Sequence, residues 1–342
     1  MKEQRKGQNN SAELRTVQVG EWSNTLGPTI VADKDKSLRT YLNSMFALFK
    51  ESYRPAEGLE FFFFKETGFP SPIIRIDMPL ATERVGALQG FFEIEARPAG
   101  LGVDSALFEE HRDAFANYLK ELSGSLQKPL ALKMFQYSQN PRHDPGGEKR
   151  EFAQLVGIPF FDKDERPENI DDFYYLVYGN QGDPEEIAEF EDRSLFPVRD
   201  DGNKDYLVTM GAAQVADRIA VSQKLGMGIP FVLKPRKGMW AQDVLVYPGN
   251  SGKRLFDGYA SENDIHDLIG SPRFEDRYLL QTFFNPGRVE FGRDPYLAMA
   301  RIYAFANLET GEYELSNGIY MARQNIRLHG TSDAITGQLV LP

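Results

Sequence analysis

The sequence predicts a mixed α/β protein, in the α/β (α+β) class, with a parallel βαβ unit near its middle. Segments rich in β-branched and aromatic residues alternate with segments in which apolar residues recur every three or four positions, as expected of strands and amphipathic helices. Between residues 128 and 178 the order is strand, helix, strand, which is typical of parallel strands joined by a crossover helix. From residue 229 onward, strands and turns predominate.

The composition is that of a globular protein. The 342 residues are 41% hydrophobic and 26% charged, and such a chain has room for one large domain or for two or three smaller ones. The 25 Phe and 15 Tyr argue against disorder in most of it. The net charge is −11, without a Lys/Arg-dense stretch, so we expect no nucleic-acid partner.

The absence of cysteine excludes several kinds of site. Disulfides, thiol nucleophiles and Cys-ligated metals are impossible, and the four His show no metal-ligand spacing. The first ten residues lack the apolar stretch of a secretory signal. No apolar run approaches the roughly 18 residues of a membrane helix. We therefore expect a soluble, cytoplasmic protein with no membrane partner, and leave open whether it is a homo-oligomer.

The first 127 residues divide into two parts. Residues 1–20 are polar and are predicted to be a flexible N-terminus. Residues 21–127 are predicted to contain strands at 27–31, 60–65, 71–77 and 90–96, with helices at 38–49 and 105–122. The strands at 71–77 and 90–96 are expected to form a hairpin.

Two further parts follow. Residues 128–205 are predicted to form a small βαβ subdomain, with strands at 128–135 and 172–178, a helix at 148–156 and an acidic loop at 182–205. Residues 206–342 are predicted to contain a helix at 212–224 and strands at 229–235, 278–284, 296–308 and 312–323.

A phosphate-binding element is predicted around Lys234. An apolar strand delivers this lysine, Pro235 ends the strand, and a loop with further cations and a glycine follows. A lysine beside free backbone N–H groups suits a phosphate. The loop is neither a Walker A motif nor a G-x-G-x-x-G motif. The alternative is an ordinary hairpin with a solvated Lys/Arg tip.

Two downstream strands carry further candidates. The strand at 278–284 is apolar except at Gln281 and Thr282, and such a strand can present its backbone to an adenine ring while aromatic side chains pack on the ring's faces. The alternative is a core strand with one surface glutamine. On the next strand Arg301, Tyr303 and Phe305 share a face, and a buried arginine there requires an anionic partner.

A metal site is predicted upstream. Arg75 and Asp77 share one side of a strand, and Glu93 and Glu95 share one side of the next. If the strands pair, three carboxylates and one arginine converge, and Mg²⁺ is a suitable counter-charge because it prefers oxygen ligands. The alternative is a hairpin with a solvated, charged face.

Together these motifs resemble a known family. The pattern consists of Arg75-x-Asp77, then Glu93-Ile94-Glu95-Ala96-Arg97-Pro98-Ala99-Gly100-Leu101, then Leu233-Lys234-Pro235. It resembles the glutathionylspermidine synthetase-type, circularly permuted ATP-grasp ligases, and that resemblance implies an ATP-grasp fold. The metal strands precede the lysine strand, as the permutation implies. Residues 21–127 would bind substrate and metal, 128–205 would include a pre-ATP-grasp-like subdomain, and 206–342 would bind ATP.

The resemblance also implies roles for individual residues. Asp77, Glu93 and Glu95 would hold Mg²⁺, and Arg75 and Arg301 would be catalytic, Arg75 by stabilising the phosphoryl group in transfer. ATP would be bound by Lys234, Lys237, Gln281, Thr282 and Phe283. A second phosphate-binding lysine is also expected. We assign this role to Lys224, and Lys204 remains the alternative. Glu95 departs from the asparagine common in the family, and the loop after Lys234 has fewer glycines than usual.

The activity implied is the ATP- and Mg²⁺-dependent joining of a small-molecule carboxylate to a small-molecule amine through an acyl phosphate. The resemblance does not specify the acid or the amine. Two alternatives remain: a nucleotide-binding scaffold of the same fold without turnover, favoured by the two departures, and a small-molecule kinase.

Overall fold

The protein is described here by a computed structural model. The described residues are 14–19, 22–31, 36–54, 61–80, 90–98, 100–135, 145–179, 184–197, 204–237, 243–250, 257–272, 274–284, 286–326 and 334–341.

The strands are numbered in chain order. They are β1 (Arg15–Val19), β2 (Trp22–Leu26), β3 (Ile30–Val31), β4 (Ile73–Pro79), β5 (Glu93–Glu95), β6 (Leu130–Met134), β7 (Phe160–Phe161), β8 (Tyr174–Tyr178), β9 (Ala213–Val215), β10 (Phe231–Pro235), β11 (Leu245–Tyr247), β12 (Tyr278–Thr282), β13 (Gly287–Phe291), β14 (Asp294–Asn307), β15 (Glu312–Arg323) and β16 (Ile335–Val340).

The α-helices are α1 (Lys36–Ser52), α2 (Phe62–Thr67), α3 (Leu101–Leu107), α4 (Glu109–Leu126), α5 (Pro145–Val156), α6 (Pro184–Glu191), α7 (Tyr206–Thr209), α8 (Arg218–Gly226) and α9 (Glu262–Gly270). A 3₁₀ turn spans Ile170–Asp172. Among these described helices, none combines the length and apolar character that crossing a bilayer requires.

The largest sheet unites the two ends of the chain. Its strand order is β1-β2-β16-β15-β14-β4-β5, with β13 also paired to β14 and β3 to β16. Strand β4 is buried along its whole length. Helix α4 covers the face of the sheet that carries the odd-numbered residues of β14, where Phe115 meets the ring of Tyr303 edge-on and Tyr118 stacks on Phe305.

Two smaller sheets complete the fold. In one, β11-β10-β12-β9 pair antiparallel and pack their apolar side chains against α8 and α9. In the other, β6 pairs in parallel with both β7 and β8. The predicted parallel βαβ unit is therefore confirmed, as is the mixed α/β class with several sheets.

The predicted strand at 60–65 is wrong, because Phe62–Thr67 form helix α2. The helix ends at Gly68, whose φ of 70° suits glycine. A run of four phenylalanines has no period of its own, so neighbouring segments select its conformation. Here the N–H of Phe63 donates to the carbonyl oxygen of Ser194, and the side chains of Phe61 and Phe63 are buried.

Three other elements differ from expectation. The helix predicted at 105–122 is two helices, α3 and α4, separated by the extended backbone of Phe108. The helix predicted at 212–224 begins only at Arg218, where Asp217 caps it, because residues 213–215 join the edge of a sheet as β9. The segment predicted as an acidic loop contains α6, which begins at a proline, carries two glutamates in its first turn, and buries Ile187 and Phe190.

The N-terminal segment is partly ordered. Although the sequence predicts flexibility up to residue 20, Arg15–Val19 form β1 and pair antiparallel with β2. Residues 1–13 lie outside the described residues, as do the hairpin connection 81–89 and residues 238–242 after Lys234.

Candidate metal and phosphate site

Six polar side chains are aligned across three adjacent strands. Arg301 of β14 lies opposite Asp77 of β4, which lies opposite Glu93 of β5. Two residues along, Tyr303, Arg75 and Glu95 form a second row in the same order. Because residues two apart on a strand face the same way, both rows project from one face of the sheet.

The three carboxylates converge as the hairpin prediction requires. Asp77, Glu93 and Glu95 each offer an oxygen, and these oxygens all lie within 4.8 Å of one another. Arg75 links two of the three groups. Its Nε donates to Oδ1 of Asp77 at 2.8 Å, and its Nη2 donates to Oδ2 of Asp77 at 3.2 Å and to Oε1 of Glu95 at 2.7 Å. Arg75 and Asp77 are 1% and 3% exposed, so their pair is shielded from solvent, whereas the side chain of Glu95 is 29% exposed.

Burial and neighbouring charges set the two glutamates apart. Burial opposes ionisation of Glu93, but the positive charges of Lys234 and Lys204, with smaller effects from both arginines, lower the pKa of this carboxyl below its usual range. Burial raises the pKa of Glu95 despite the opposing effect of Arg75, and the negative charge of Glu93 adds to the rise. Glu93 is therefore the more strongly anionic of the pair.

Arg301 is buried beside the cluster. Its Nε lies 3.6 Å from Oδ2 of Asp77, and within the described part of the chain this buried atom has no hydrogen-bond partner. Gly100, with φ of 86°, lies over the guanidinium group, since a Cβ at this position would come within 3.9 Å of Nη1. The positive φ, rather than a close approach of the side chains, favours glycine at this turn.

Asp104 belongs to the same network, although the sequence analysis missed it. The hydroxyl of Tyr303 donates to Oδ2 of Asp104. Burial raises the pKa of Asp104 to about 6, although the bond from Tyr303 and the charge of Arg301 oppose the rise. Asp104 follows a glycine turn at the start of a short helix, and no periodic pattern in that segment marks it as part of a site.

Side chains of the second sheet bind the backbone that leads into β5. Nζ of Lys234 donates to the carbonyl oxygen of Phe92 at 2.7 Å. Nε2 of Gln281 donates to the carbonyl oxygens of Phe91 and Phe92 at 3.1 and 3.3 Å. Lys234 and Gln281 are both buried, so the alternative of a surface glutamine is wrong. The hairpin alternative is met in part, since β10 and β11 pair antiparallel and Lys237 is exposed, but Lys234 itself is not solvated. The side chains of Lys234 and Gln281 both bind the backbone just before Glu93.

The other predicted nucleotide-binding residues are more dispersed. Lys204, the open alternative, is close enough for its charge to lower the pKa values of Glu93 and Lys234, whereas Lys224 lies in the last turn of α8 and is not among the charges that act on them. Lys237 and Thr282 are exposed. Phe283 packs in a small apolar cluster with Val246, Leu297 and Ile326.

The donor set fits a hard divalent cation beside a phosphate. Three carboxylate oxygens within reach of one another are ligands that Mg²⁺ accepts, and the lowered pKa of Glu93 keeps one of them ionised. Lys234 and Lys204 add positive charge on the side of the second sheet, where a phosphate would neutralise it.

Comparisons with known proteins identify no family for the chain. No family model matches the sequence, and no curated protein matches it. Among solved structures, the chain is similar to a protein from Methylobacillus flagellatus named as a candidate gamma-glutamylcysteine synthetase, with a TM-score of 0.44 and 9% identity over 86% of this chain and 82% of that one. At this TM-score the similarity does not establish a shared fold.

Proposed function

We propose that this protein is an ATP- and Mg²⁺-dependent ligase that joins a carboxylic acid to an amine through an acyl phosphate. One observation carries the proposal: Asp77, Glu93 and Glu95 offer oxygens that lie within 4.8 Å of one another, and the buried lysine of a second sheet binds the backbone directly before Glu93. Carboxylates for a metal and a lysine for phosphate are the two requirements of phosphoryl transfer.

A circularly permuted ATP-grasp arrangement belongs to the same proposal. Its support is the chain order, in which the carboxylate strands β4 and β5 precede the lysine strand β10, together with the contact between the two sheets through Lys234 and Gln281. ATP would lie between the sheets, with its adenine near β12 and its phosphates near Lys234.

The proposed roles follow from charge and position. Asp77, Glu93 and Glu95 would hold Mg²⁺, which when bound neutralises phosphate charge as a Lewis acid. Lys234 and Lys204 would bind the nucleotide phosphates. Arg75 and Arg301 would stabilise the charge that develops on the transferring phosphoryl group.

The reaction itself needs no side-chain nucleophile. The acid's carboxylate attacks the γ-phosphorus of ATP, the bond from this phosphorus to the bridging oxygen breaks, and ADP leaves. The amine then attacks the acyl carbon, inorganic phosphate leaves with the carbon–oxygen bond electrons, and the nitrogen loses its proton. A chain without cysteine is consistent with this chemistry.

The charge inventory predicts that metal and nucleotide bind together. Four carboxylates, with Asp104 among them, face four cationic side chains, Arg75, Arg301, Lys234 and Lys204. Added Mg²⁺ alone would leave a large positive excess in a buried site, whereas the Mg²⁺–ATP complex brings net negative charge. We expect calorimetry to show strong binding of Mg²⁺–ATP and weak binding of Mg²⁺ alone.

The direct test combines binding and turnover. Calorimetry should show metal-dependent ATP binding by the wild-type protein, and the Asp77→Asn/Glu93→Gln double variant should lose it. Screening of acid–amine pairs should then give ADP only when both substrates are present. Wild-type protein that folds normally but binds no ATP would refute the proposal.

A nucleotide-binding scaffold is the second candidate, and one observation favours it. Arg75 already binds both oxygens of Asp77 and one oxygen of Glu95, so the cluster is stabilised internally without a metal. ATP binding without ADP release under any acid–amine pair would support the scaffold. ADP release with a single acceptor would indicate a kinase.

A further inference from the structure

We infer that Tyr206 is a positioning residue that sets the geometry of the metal-binding carboxylates, an inference that rests on the proposed function. Its hydroxyl group makes two hydrogen bonds to one residue of β5. It accepts from the N–H of Ile94 at 2.9 Å and donates to the carbonyl oxygen of Ile94 at 2.7 Å. Ile94 lies between Glu93 and Glu95, so both carboxylates are attached to the backbone that Tyr206 holds.

Strand β5 depends on this contact because it is short and lies at the edge of its sheet. It has three residues and pairs with β4 on one side. The hydroxyl of Tyr206 satisfies the N–H and C=O of Ile94, the groups that a further strand would otherwise pair. Without it, the N–H and C=O of Ile94 would lose this partner, and the backbone that carries Glu93 and Glu95 would be held by β4 alone on one side.

Tyr206 is itself held firmly. Its ring is buried and meets the ring of Phe49 edge-on, with centroids 5.1 Å apart. The residues just before it are clamped to the end of β10. Arg236 binds both oxygens of Asp205 at 2.7 and 2.8 Å, and the N–H of Lys204 donates to the carbonyl oxygen of Arg236 at 2.8 Å.

Three consecutive residues therefore connect the lysine strand to the metal strand. Lys204 places a charge near Glu93. Asp205 binds Arg236, the residue directly after β10. Tyr206 binds the backbone of β5. A link of this kind limits the distance between phosphate-binding and metal-binding groups, and such supporting contacts contribute to metal affinity.

The substitution Tyr206→Phe removes only the hydroxyl. We expect the apparent affinity for Mg²⁺, titrated at a fixed concentration of ATP, to fall about tenfold. ATP binding in the absence of metal should be unchanged. A readout independent of metal is the amide exchange rate of Ile94 in metal-free protein, which should rise because its N–H loses its acceptor.

A matched control is Tyr313→Phe. The hydroxyl of Tyr313 is also buried and donates to a backbone carbonyl, that of Ser71, at 2.8 Å. Losing this bond should lower stability by a similar amount without changing metal affinity or the exchange of Ile94. A second variant, Arg236→Gln, releases the clamp on Asp205 while keeping the hydroxyl of Tyr206, and should weaken Mg²⁺ binding in the same direction by a smaller factor.

The outcomes are distinguishable. Equal Mg²⁺ affinity in Tyr206→Phe and Tyr313→Phe, with metal-dependent ATP binding by the wild type, would overturn this inference and leave the proposed function standing. If Tyr206→Phe does not fold, an unchanged Mg²⁺ affinity in Arg236→Gln would overturn it. If the wild type shows no metal-dependent ATP binding, both proposals are wrong.

Discussion

Two buried lysines stand at the same position in two similar strands, yet their surroundings differ. Lys133 is the fourth residue of Leu130–Met134, and Lys234 is the fourth residue of Phe231–Pro235. In each case three mainly apolar residues precede the lysine. Burial lowers the pKa of both ammonium groups. What differs is the set of acceptors that each Nζ meets.

Lys133 is fully satisfied by the protein. Its Nζ donates to the carbonyl oxygens of Asp162, Lys163 and Glu165 at 2.9, 3.1 and 2.8 Å. These three bonds use every proton of the ammonium group, and Glu186 lies 3.5 Å away as a counter-charge. Such a lysine holds a loop in place and has no donor to offer a ligand.

Lys234 meets fewer acceptors among the described residues than it has N–H donors. Among the described residues, the acceptor of its Nζ is the carbonyl oxygen of Phe92, and the anion that acts most strongly on it is Glu93. The carbonyl oxygen of Phe92 also accepts from Gln281, so it does not depend on the lysine. The difference teaches that the balance of donors and acceptors, rather than burial alone, distinguishes a ligand-binding lysine from a structural one.

The largest effect expected from this comparison is on stability. Lys133→Met should lower the free energy of unfolding by about 3 kcal/mol or more, because it leaves three carbonyl groups and Glu186 without their donor. Urea denaturation measures the change. The Mg²⁺–ATP affinity of the folded variant should equal that of the wild type. A large loss of affinity would show that Lys133, like Lys234, contributes to nucleotide binding.

The complementary change, Lys234→Met, should act on binding. We expect Mg²⁺–ATP affinity to fall about 100-fold, which is about 2.7 kcal/mol, because a buried charge facing the phosphates is lost. The free energy of unfolding should fall by less than in Lys133→Met, since Phe92 keeps Gln281 as a donor, although Glu93 loses one of its counter-charges. Calorimetry and urea denaturation on the same preparation test both statements.

A buried carboxylate extends the comparison to the opposite charge. Burial raises the pKa of Asp104 in the folded protein to about 6, above its ordinary value of 3.8, so its contribution to stability is present at low pH and is lost as the pH rises through about 6. The substitution Asp104→Asn keeps an acceptor for the hydroxyl of Tyr303, and because an amide does not ionise, the variant does not lose stability as the pH rises. Its advantage in unfolding free energy over the wild type should grow between about pH 4 and 6 and level off near 2–3 kcal/mol.

The absence of any pH dependence in the difference between Asp104→Asn and wild type would show that Asp104 titrates normally. Thermal unfolding of both proteins at a series of pH values provides the measurement.

The smallest effect separates the two candidates for the second phosphate lysine. Lys204→Ala should weaken Mg²⁺–ATP binding about tenfold, because the charge of Lys204 acts on Glu93 and Lys234. Lys224→Ala, at the end of α8, should leave affinity within about twofold of the wild type. The reverse ranking in competition binding would restore Lys224 as the phosphate ligand.

The sequence was most informative where a local period decides geometry. The two-residue period of strands placed Arg75 with Asp77 and Glu93 with Glu95, and the predicted hairpin brought the four together. It was least informative where neighbours select the conformation. The phenylalanine run of α2 has no period of its own, and contacts distant in sequence made it a helix.

The sequence by itself determined the mixed α/β class, the parallel βαβ unit and the convergence of three carboxylates, because each follows from patterns that span a few residues. Only the tertiary structure decided that Lys204 lies near Glu93, that Asp104 receives the hydroxyl of Tyr303, and that Tyr206 fixes Ile94. The last two contacts join residues 199 and 112 positions apart. Pairings at such separations depend on how whole sheets and helices pack, which no local pattern records.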